Sequence, residues 1–235
     1  MYKFGLLFIG ALILGVVTAH VTLPAHATTG GIIVQTIPGP SIGEKLATRA
    51  NSSWAWYVSR GSGLVAALAL VLLLISGIGQ VTGYTFRLLE PLIAWASHRA
   101  LGIIFAVASA VHIFSLLFDH FVPFSLPELF VPWLSHYRPV MLFGIQFGSL
   151  YVALGVLSIY AIVLIIATSF LWVEKKPVLW KFVHLLSYVV MIFVFIHALY
   201  LGTDLQGGVL QAIWIGVAAL IAFLTIYRLW RARTI

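Results

Sequence analysis

The chain has 235 residues, of which 62% are hydrophobic and 8% charged, whereas about 25% of the residues of a soluble protein are charged. A soluble globular domain is therefore excluded. Cysteine is absent, which excludes disulfides, iron–sulfur clusters, covalently attached c-type heme and cysteine zinc sites. The formal charge of +7 comes from Lys and Arg residues that lie between apolar blocks. That distribution favours membrane orientation over nucleic-acid binding.

Six apolar runs are long enough to cross a hydrocarbon core, which takes about 20 residues. They lie near 4–22, 62–83, 92–118, 147–172, 178–202 and 208–228. None of them contains an interior proline, in keeping with the uninterrupted helix that a lipid-exposed backbone requires. The sequence thus predicts an all-α integral membrane protein, with contact to membrane lipid along a bundle of six helices.

The N-terminal segment 1–27 has two interpretations. It is either the first transmembrane helix or a signal peptide, because Lys3, an apolar stretch and the small residues around Ala25-His26-Ala27 resemble a cleavable leader. Cleavage would leave five helices. The segment 28–61 is rich in Gly, Pro, Thr and Ser, so we expect an irregular outer loop or extension. Residues 62–230 form the predicted membrane domain.

The charged residues between the spans predict the orientation of the bundle. If the N-terminus is cytoplasmic, the inner segments carry Lys3, Arg87, Arg99, Lys175, Lys176, Lys181, Arg228, Arg231 and Arg233. The outer segments carry only Lys45, Arg49, Arg60 and Arg138. The positive-inside rule then predicts a multi-pass protein of the cytoplasmic membrane with its C-terminus in the cytoplasm.

The long outer segment 119–146 is aromatic and interrupted by prolines. It is either a short amphipathic helix lying along the outer interface or a plain apolar connection between two spans.

Histidine is the residue type that points to chemistry. Four of the eight lie at or beyond the outer ends of spans, where a solvated imidazole is unremarkable, and whether they bind a metal is left open: His20, His26, His120 and His136. The other four lie inside the third and fifth spans: His98 and His112, 14 residues apart, and His184 and His197, 13 residues apart.

The two spans share the same spacing between a proline and the first histidine. Pro91 precedes His98 by seven residues, and Pro177 precedes His184 by seven residues. Proline is favoured in the first turn of a helix, so the two helices begin at matching places and run in the same direction. His98 therefore lies at the depth of His184, and His112 at the depth of His197. The two depths are about 20 Å apart along the helix axis.

Two imidazoles that face each other across a gap suit axial ligation of heme b, which needs one nitrogen on each face of the macrocycle and no covalent anchor. The alternative for each histidine is a hydrogen-bonded tie between helices. A spacing of 13 residues leaves the second side chain about 140° away from the first on an ideal helix. We therefore expect a local irregularity between Leu185 and Ile196 if both histidines face one neighbour.

The sequence motifs around these histidines resemble those of a known family. They are Trp56-Tyr57-Val58-Ser59-Arg60-Gly61-Ser62-Gly63-Leu64-Val65-Ala66, His98-Arg99-Ala100-Leu101-Gly102, His112 with Asp119, Pro123-Phe124-Ser125-Leu126, Tyr137-Arg138-Pro139, Trp180-Lys181-Phe182-Val183-His184, and His197 with Gly202-Thr203-Asp204. Over about 54–204 the chain resembles the bacterial ferric reductase-like transmembrane domain proteins. These are relatives of the membrane domains of ferric reductases and NADPH oxidases, and of the heme subunit of periplasmic methionine sulfoxide reductase.

The resemblance implies a ferric-reductase-like helical bundle with two b hemes, His98 and His184 ligating the inner one and His112 and His197 the outer one. It implies electron transfer from a cytoplasmic flavoprotein or a membrane quinol to an outer redox partner. Because the sequence shows no dinucleotide-binding fingerprint and no flavin domain, we expect the heme-bearing component of an oxidoreductase without its own NAD(P) site.

Smaller features fit the same interpretation. Gly102 lies one turn after His98, where a missing side chain would admit a porphyrin, although ordinary helix packing explains it equally. Arg99, Arg60 and Arg138 are candidate partners of heme propionates or anchors of the topology. A small-residue stripe on the second span predicts a close helix contact without chemical role: Ser76, Gly77, Gly79 and Gly83.

Two alternative functions remain. The first is a quinol-oxidising heme subunit of a separate periplasmic reductase, for which a basic or polar pocket between helices would argue. The second is a non-redox transporter or scaffold that uses the histidines as a proton or metal path. Carboxylates inside the spans and broken helices would support a transporter, and the sequence shows neither.

Overall fold

Long apolar helices make up most of the structure, a computed structural model that describes residues 42–142 and 144–231. The helices are α1 (Ile42–Thr82), α2 (Thr85–Leu88), α3 (Pro91–Leu116), α4 (Leu126–Phe130), α5 (Leu150–Leu171), α6 (Pro177–His184), α7 (Leu186–Leu201) and α8 (Gly208–Arg231). A hairpin of β1 (Val140–Leu142) and β2 (Ile145–Phe147) lies between α4 and α5, and a 3₁₀ turn (Thr203–Leu205) follows α7.

Five of these stretches are long and apolar enough to cross a membrane: Ser53–Thr82, Pro91–Leu116, Leu150–Leu171, Pro177–Leu201 and Gly208–Trp230. Large apolar side chains such as Leu68, Val107 and Phe223 are exposed on them, as expected of surfaces that face lipid. The chain is a mostly helical, multi-pass membrane protein. The sixth predicted span, 4–22, lies outside the described residues, as does the whole of the 1–27 segment.

The expected outer loop is wrong for residues 42–61, which are part of the continuous helix α1. The helix breakers that suggested a loop lie before residue 41, and the next proline is Pro91. Gly61 and Gly63 are accommodated within the helix, although glycine costs about 1 kcal/mol relative to alanine there. The predicted domain boundary at 61/62 therefore falls inside α1.

The connection 119–146 contains both a short helix and the only departure from an all-α fold among the described residues. Strands β1 and β2 pair antiparallel, with Val140 opposite Phe147 and Leu142 opposite Ile145. Gly144 at the turn has φ +79, a left-handed conformation that glycine adopts without steric cost. The hairpin is small, and α4 is the short helix that the sequence allowed for this segment.

The spans begin and end where local chemistry predicts. Pro91 and Pro177 occupy the first turn of α3 and of α6, where a missing N–H costs nothing. Ser149 caps α5 by accepting a hydrogen bond from the backbone N–H of Val152 at 3.2 Å. Gly83, with φ +79, follows the last residue of α1.

Two helix pairs build the bundle. Helix α1 packs along α3, and α5 packs along α6 and α7, while α8 lies against α1. The backbones of α3 and α7 do not pack closely, but their side chains meet at mid-depth in one apolar core with α1 and α8. Phe105 and Met191 belong to this core, each about midway between the two histidines of its span.

Candidate functional site: two facing histidine pairs

His98 and His184 face each other between α3 and α6. Their ring centroids are 6.3 Å apart and the ring planes are inclined by 47°. We call this arrangement the His98–His184 pair.

His112 and His197 face each other in the same way between α3 and α7. Their ring centroids are 6.4 Å apart and their planes are almost perpendicular, at 87°. This is the His112–His197 pair. The structure therefore brings together the four histidines that the sequence singled out, in the two predicted pairings.

These separations fit two imidazoles on one metal ion. A metal–imidazole bond is about 2.0 Å long, and the centre of a five-membered ring with bonds near 1.33 Å is about 1.13 Å from its atoms. Two rings that coordinate one metal from opposite sides therefore have centroids about 6.3 Å apart. Within the described residues no group of three or more His, Asp or Glu forms a metal site. Each pair brings together two imidazoles, and two is the number of axial ligands that a six-coordinate porphyrin iron takes.

Hydrogen bonds at Nδ1 orient the two rings of the His112–His197 pair. Nδ1 of His112 lies 2.8 Å from the carbonyl oxygen of Ser59, and Nδ1 of His197 lies 2.8 Å from that of Tyr151. A carbonyl oxygen only accepts, so in both rings Nδ1 carries the proton. Nε2 is then the nitrogen with a free lone pair, as in histidines that bind a metal through Nε2 and donate from the other nitrogen.

His98 has the same arrangement with a different acceptor. Its Nδ1 lies 2.8 Å from Oγ of Ser76, and that hydroxyl donates to the carbonyl oxygen of Leu73 at 2.9 Å. Because the proton of Ser76 is used, its oxygen accepts the proton of His98 Nδ1. The free lone pair of His98 is again on Nε2.

His184 differs from the other three. Its Nδ1 is buried and has no hydrogen-bond partner among the residues that the structure describes. The ring lies 5.2 Å from that of Trp180, whose Nε1 donates to Ser169 Oγ. His184 is the last residue of α6, and the helix is interrupted at Leu185 before α7 begins.

The interruption at Leu185 confirms the irregularity expected from the 13-residue spacing. The N–H of Leu185 still bonds the carbonyl of Lys181 at 3.1 Å, and the N–H of Tyr188 bonds that of Leu185 at 3.2 Å, a 3₁₀-type contact. A tightened turn thus changes the angle between the two histidines while it keeps the backbone hydrogen-bonded.

Three glycines lie against the imidazoles. A Cβ added at Gly63 would be 3.1 Å from His112 Nδ1, one at Gly77 would be 3.2 Å from His98 Cε1, and one at Gly155 would be 2.8 Å from His197 Nδ1. Each glycine belongs to the helix packed beside its histidine, α1 or α5. The absence of a side chain is what admits the ring at these positions.

The sequence missed this group of supporting residues, which comprises Ser59, Gly63, Ser76, Gly77, Tyr151 and Gly155. The predicted close helix contact of the stripe is confirmed, and within that contact Ser76 and Gly77 both touch His98. The spacing of two glycines in the sequence could have revealed part of this group. Gly63 and Gly77 are 14 residues apart, as are His98 and His112, so two antiparallel helices place a glycine beside each histidine.

The predicted arginines have protein partners. Arg60 forms a two-point ion pair with Asp204, with Nε 2.6 Å from Oδ2 and Nη2 bonded to Oδ1. Arg138 donates to the carbonyl oxygen of Tyr200, and Arg99 lies over the ring of Phe170. A Cβ at Gly102 would meet only Leu73 Cδ1, at 4.0 Å, so space remains beside it.

Two of the four histidines outside the spans are described by the structure, and neither belongs to a histidine pair. His120 and His136 are exposed, and His20 and His26 lie outside the described residues. Comparison of the chain with protein-family models, with curated proteins and with solved structures found no match. The function must therefore be argued from the histidine pairs.

Proposed function

We propose that the chain is a transmembrane diheme b-type cytochrome of the ferric reductase-like kind. His98 and His184 hold one heme, and His112 and His197 hold the other. The observation that carries the proposal is the separation of the rings, 6.3 Å and 6.4 Å, which is the separation required by two axial ligands. The heme supplies the one-electron chemistry, while the protein supplies ligands, orientation and an apolar surrounding.

The hydrogen bonds at Nδ1 support the same function. A histidine that serves only as a tie between helices needs one satisfied nitrogen. In His98, His112 and His197 the satisfied nitrogen is Nδ1 in every case, which leaves the free lone pair on Nε2. This is the arrangement of a metal ligand supported by a second shell of acceptors.

Two hemes separated by about 20 Å along the helices make a two-step electron path across the membrane. The distribution of Lys and Arg in the sequence supports an orientation with the His98–His184 pair toward the cytoplasm and the C-terminus inside. Electrons then pass from a cytoplasmic flavoprotein or a quinol to an acceptor on the outer side of the cytoplasmic membrane.

A quinol donor is favoured by one polar contact between helices. Arg228 of α8 donates to the hydroxyl of Tyr188 and lies over its ring, and Tyr188 is one turn beyond His184. A basic group paired with a phenol between α7 and α8, one turn from His184, is a group that a quinol headgroup could contact. Addition of a short-chain quinol to the oxidised protein tests this donor, since rapid reduction of the hemes is expected and no reduction would exclude it.

A transporter is less well supported. The five spans that the structure describes contain no Asp or Glu, although a proton path usually includes intramembrane carboxylates. The interruption at Leu185 keeps its backbone hydrogen bonds, unlike the unwound segments that bind transported ions.

The decisive experiment is a reduced-minus-oxidised absorbance spectrum of the purified protein, with heme extracted and counted per chain. Two noncovalent b hemes with low-spin bis-imidazole bands are expected. His136→Ala serves as the matched control because His136 is exposed and should leave the count at two. A protein that takes up no heme after expression with ample heme would overturn the proposal.

A further inference from the structure

The ion pair between Arg60 and Asp204 connects two parts of the bundle that otherwise touch little. Arg60 belongs to α1, which packs along α3, and Asp204 lies in the 3₁₀ turn that follows α7. The guanidinium uses Nε and Nη2 on the two carboxylate oxygens. A two-point contact of this kind fixes direction as well as distance.

The same residues adjoin the His112–His197 pair. Arg60 directly follows Ser59, whose carbonyl oxygen accepts the Nδ1 proton of His112. Asp204 follows His197 by seven residues, about two turns along the chain. The ion pair therefore joins the part of α1 that holds His112 to the turn that follows the helix of His197.

The environment of Arg60 favours a fixed contact. Its guanidinium lies 4.8 Å from the ring centroid of Trp56, one turn earlier in α1. The side chain of Arg60 is 38% exposed and that of Asp204 is 13% exposed. Screening by solvent is thus weaker than for a freely solvated surface pair.

We infer that Arg60 and Asp204 form a clamp that holds α1 with α3 against α7 and so sets the separation of His112 and His197. The inference rests on the proposed function, because it assigns the clamp to the heme of that pair. Arg60 and Asp204 are both positioning residues, because they act on the two histidines through the helices. A clamp is needed there because the backbones of α3 and α7 are not held together by close packing of their own.

The competing role for Arg60, a direct bond to a heme carboxylate, makes a different prediction. A direct bond depends on Arg60 and not on Asp204. A clamp depends on both residues equally, and removal of the second should cost nothing more once the first is gone.

The experiment compares Arg60→Gln, Asp204→Asn, the double variant, and the charge-reversed pair Arg60→Asp with Asp204→Arg. Heme per chain and the low-spin ferric electron paramagnetic resonance (EPR) signal of the His112–His197 site are measured for each. Each single variant should weaken heme binding at this pair about tenfold, the loss typical of a supporting residue around a metal ligand. The double variant should equal the singles, and the charge-reversed pair should recover heme.

Asp119→Asn is the matched control, because Asp119 follows His112 by seven residues but accepts only from the backbone N–H of Phe121 in the described structure. Loss of heme in Arg60→Gln without loss in Asp204→Asn would overturn the clamp in favour of a direct bond. Unchanged heme in both would overturn it as well.

A second readout does not depend on heme. Since the chain has no cysteine, spin labels at Phe114→Cys and Thr203→Cys report one distance between the end of α3 and the turn after α7. Both positions are exposed. In the reduced protein the distance distribution should be narrow, and it should broaden in Asp204→Asn. An unchanged distribution overturns the clamp, whereas a heme-free wild type with a broadened Asp204→Asn distribution overturns only the proposed function.

Discussion

Gly155 of α5 lies so close to the imidazole of His197 that a Cβ at this position would be 2.8 Å from both Nδ1 and Cε1 of the ring. Real Cβ atoms do not approach other atoms so closely, so any side chain at residue 155 must displace the ring. The hydrogen bond from His197 Nδ1 to the carbonyl oxygen of Tyr151 fixes the ring from the same helix. Gly155 and Tyr151 therefore define the position of His197 together.

Gly155→Ala should remove or weaken the heme of the His112–His197 pair and leave the other heme in place, because the added methyl group pushes His197 off its acceptor. Heme counting with spectral resolution of the two sites measures this. Gly216→Ala is the control, since a Cβ there meets nothing within 4 Å and alanine favours a helix by about 1 kcal/mol over glycine. Full heme content in Gly155→Ala would show that the ring has more freedom than the structure indicates.

Ser76→Ala should raise the midpoint potential of the heme held by the His98–His184 pair. Without the Ser76 oxygen, His98 Nδ1 has no acceptor there, the ligand becomes a weaker electron donor, and the ferric state loses stabilisation. A spectroscopic redox titration resolves the two hemes. In Ser158→Ala neither potential should move, because the Ser158 hydroxyl donates its one proton to the backbone carbonyl of Leu154. Equal shifts of both hemes would contradict a local effect of Ser76.

The sequence was sufficient to predict the four histidines and their pairing because depth along a helix follows directly from residue number. Pro91 and Pro177 mark equivalent helix starts, so histidines that follow them by the same number of residues lie at the same depth in the membrane. The break at Leu185 was also predictable in kind, because a regular helix could not direct both His184 and His197 to one neighbour. The sequence did not predict which residue interrupts the helix.

The supporting residues were harder to predict because their roles depend on which helices are neighbours. Ser76 and Gly77 are ordinary small residues until α1 is placed beside α3, where they meet His98. The partner of Arg60 was missed for the same reason, since Asp204 is distant in sequence. The extent of α1 was misjudged because the prolines and paired glycines that suggested a loop all lie before residue 41, and the helix tolerates the glycines that follow.

The inclination of the rings predicts two distinguishable ferric signals. Nearly perpendicular imidazoles leave two iron d orbitals close in energy, which makes the EPR signal highly anisotropic. The His112–His197 pair, at 87°, should therefore give the more anisotropic low-spin signal, and the His98–His184 pair, at 47°, the less anisotropic one. The spectrum of the oxidised protein, recorded near liquid-helium temperature, tests this. Two identical signals would argue against the ring orientations described.

Alanine substitution of the histidines should remove the hemes pairwise. On the proposed function, His112→Ala or His197→Ala should abolish the more anisotropic signal and spare the other heme, because the iron at that pair would lose one of its two protein ligands. His98→Ala or His184→Ala should do the reverse. The measurement is heme per chain together with the EPR spectrum of each variant. Equal heme content in all four variants would refute the pairing.

Glu128 predicts a pH dependence that is local to α4. Its carboxylate accepts hydrogen bonds from Oγ of Ser125 at 2.6 Å and from the backbone N–H of Ser125 at 2.8 Å, and these contacts lower the pKa of Glu128 below its usual value. A lowered pKa means that the cap stabilises α4 fully at neutral pH and is lost as the pH falls through the lowered value. Hydrogen exchange at the Ser125 amide should therefore accelerate, relative to its intrinsic rate, only below the usual range of a glutamate. Glu128→Gln can keep the cap and should show no such transition, whereas a transition retained in that variant would assign it to another group.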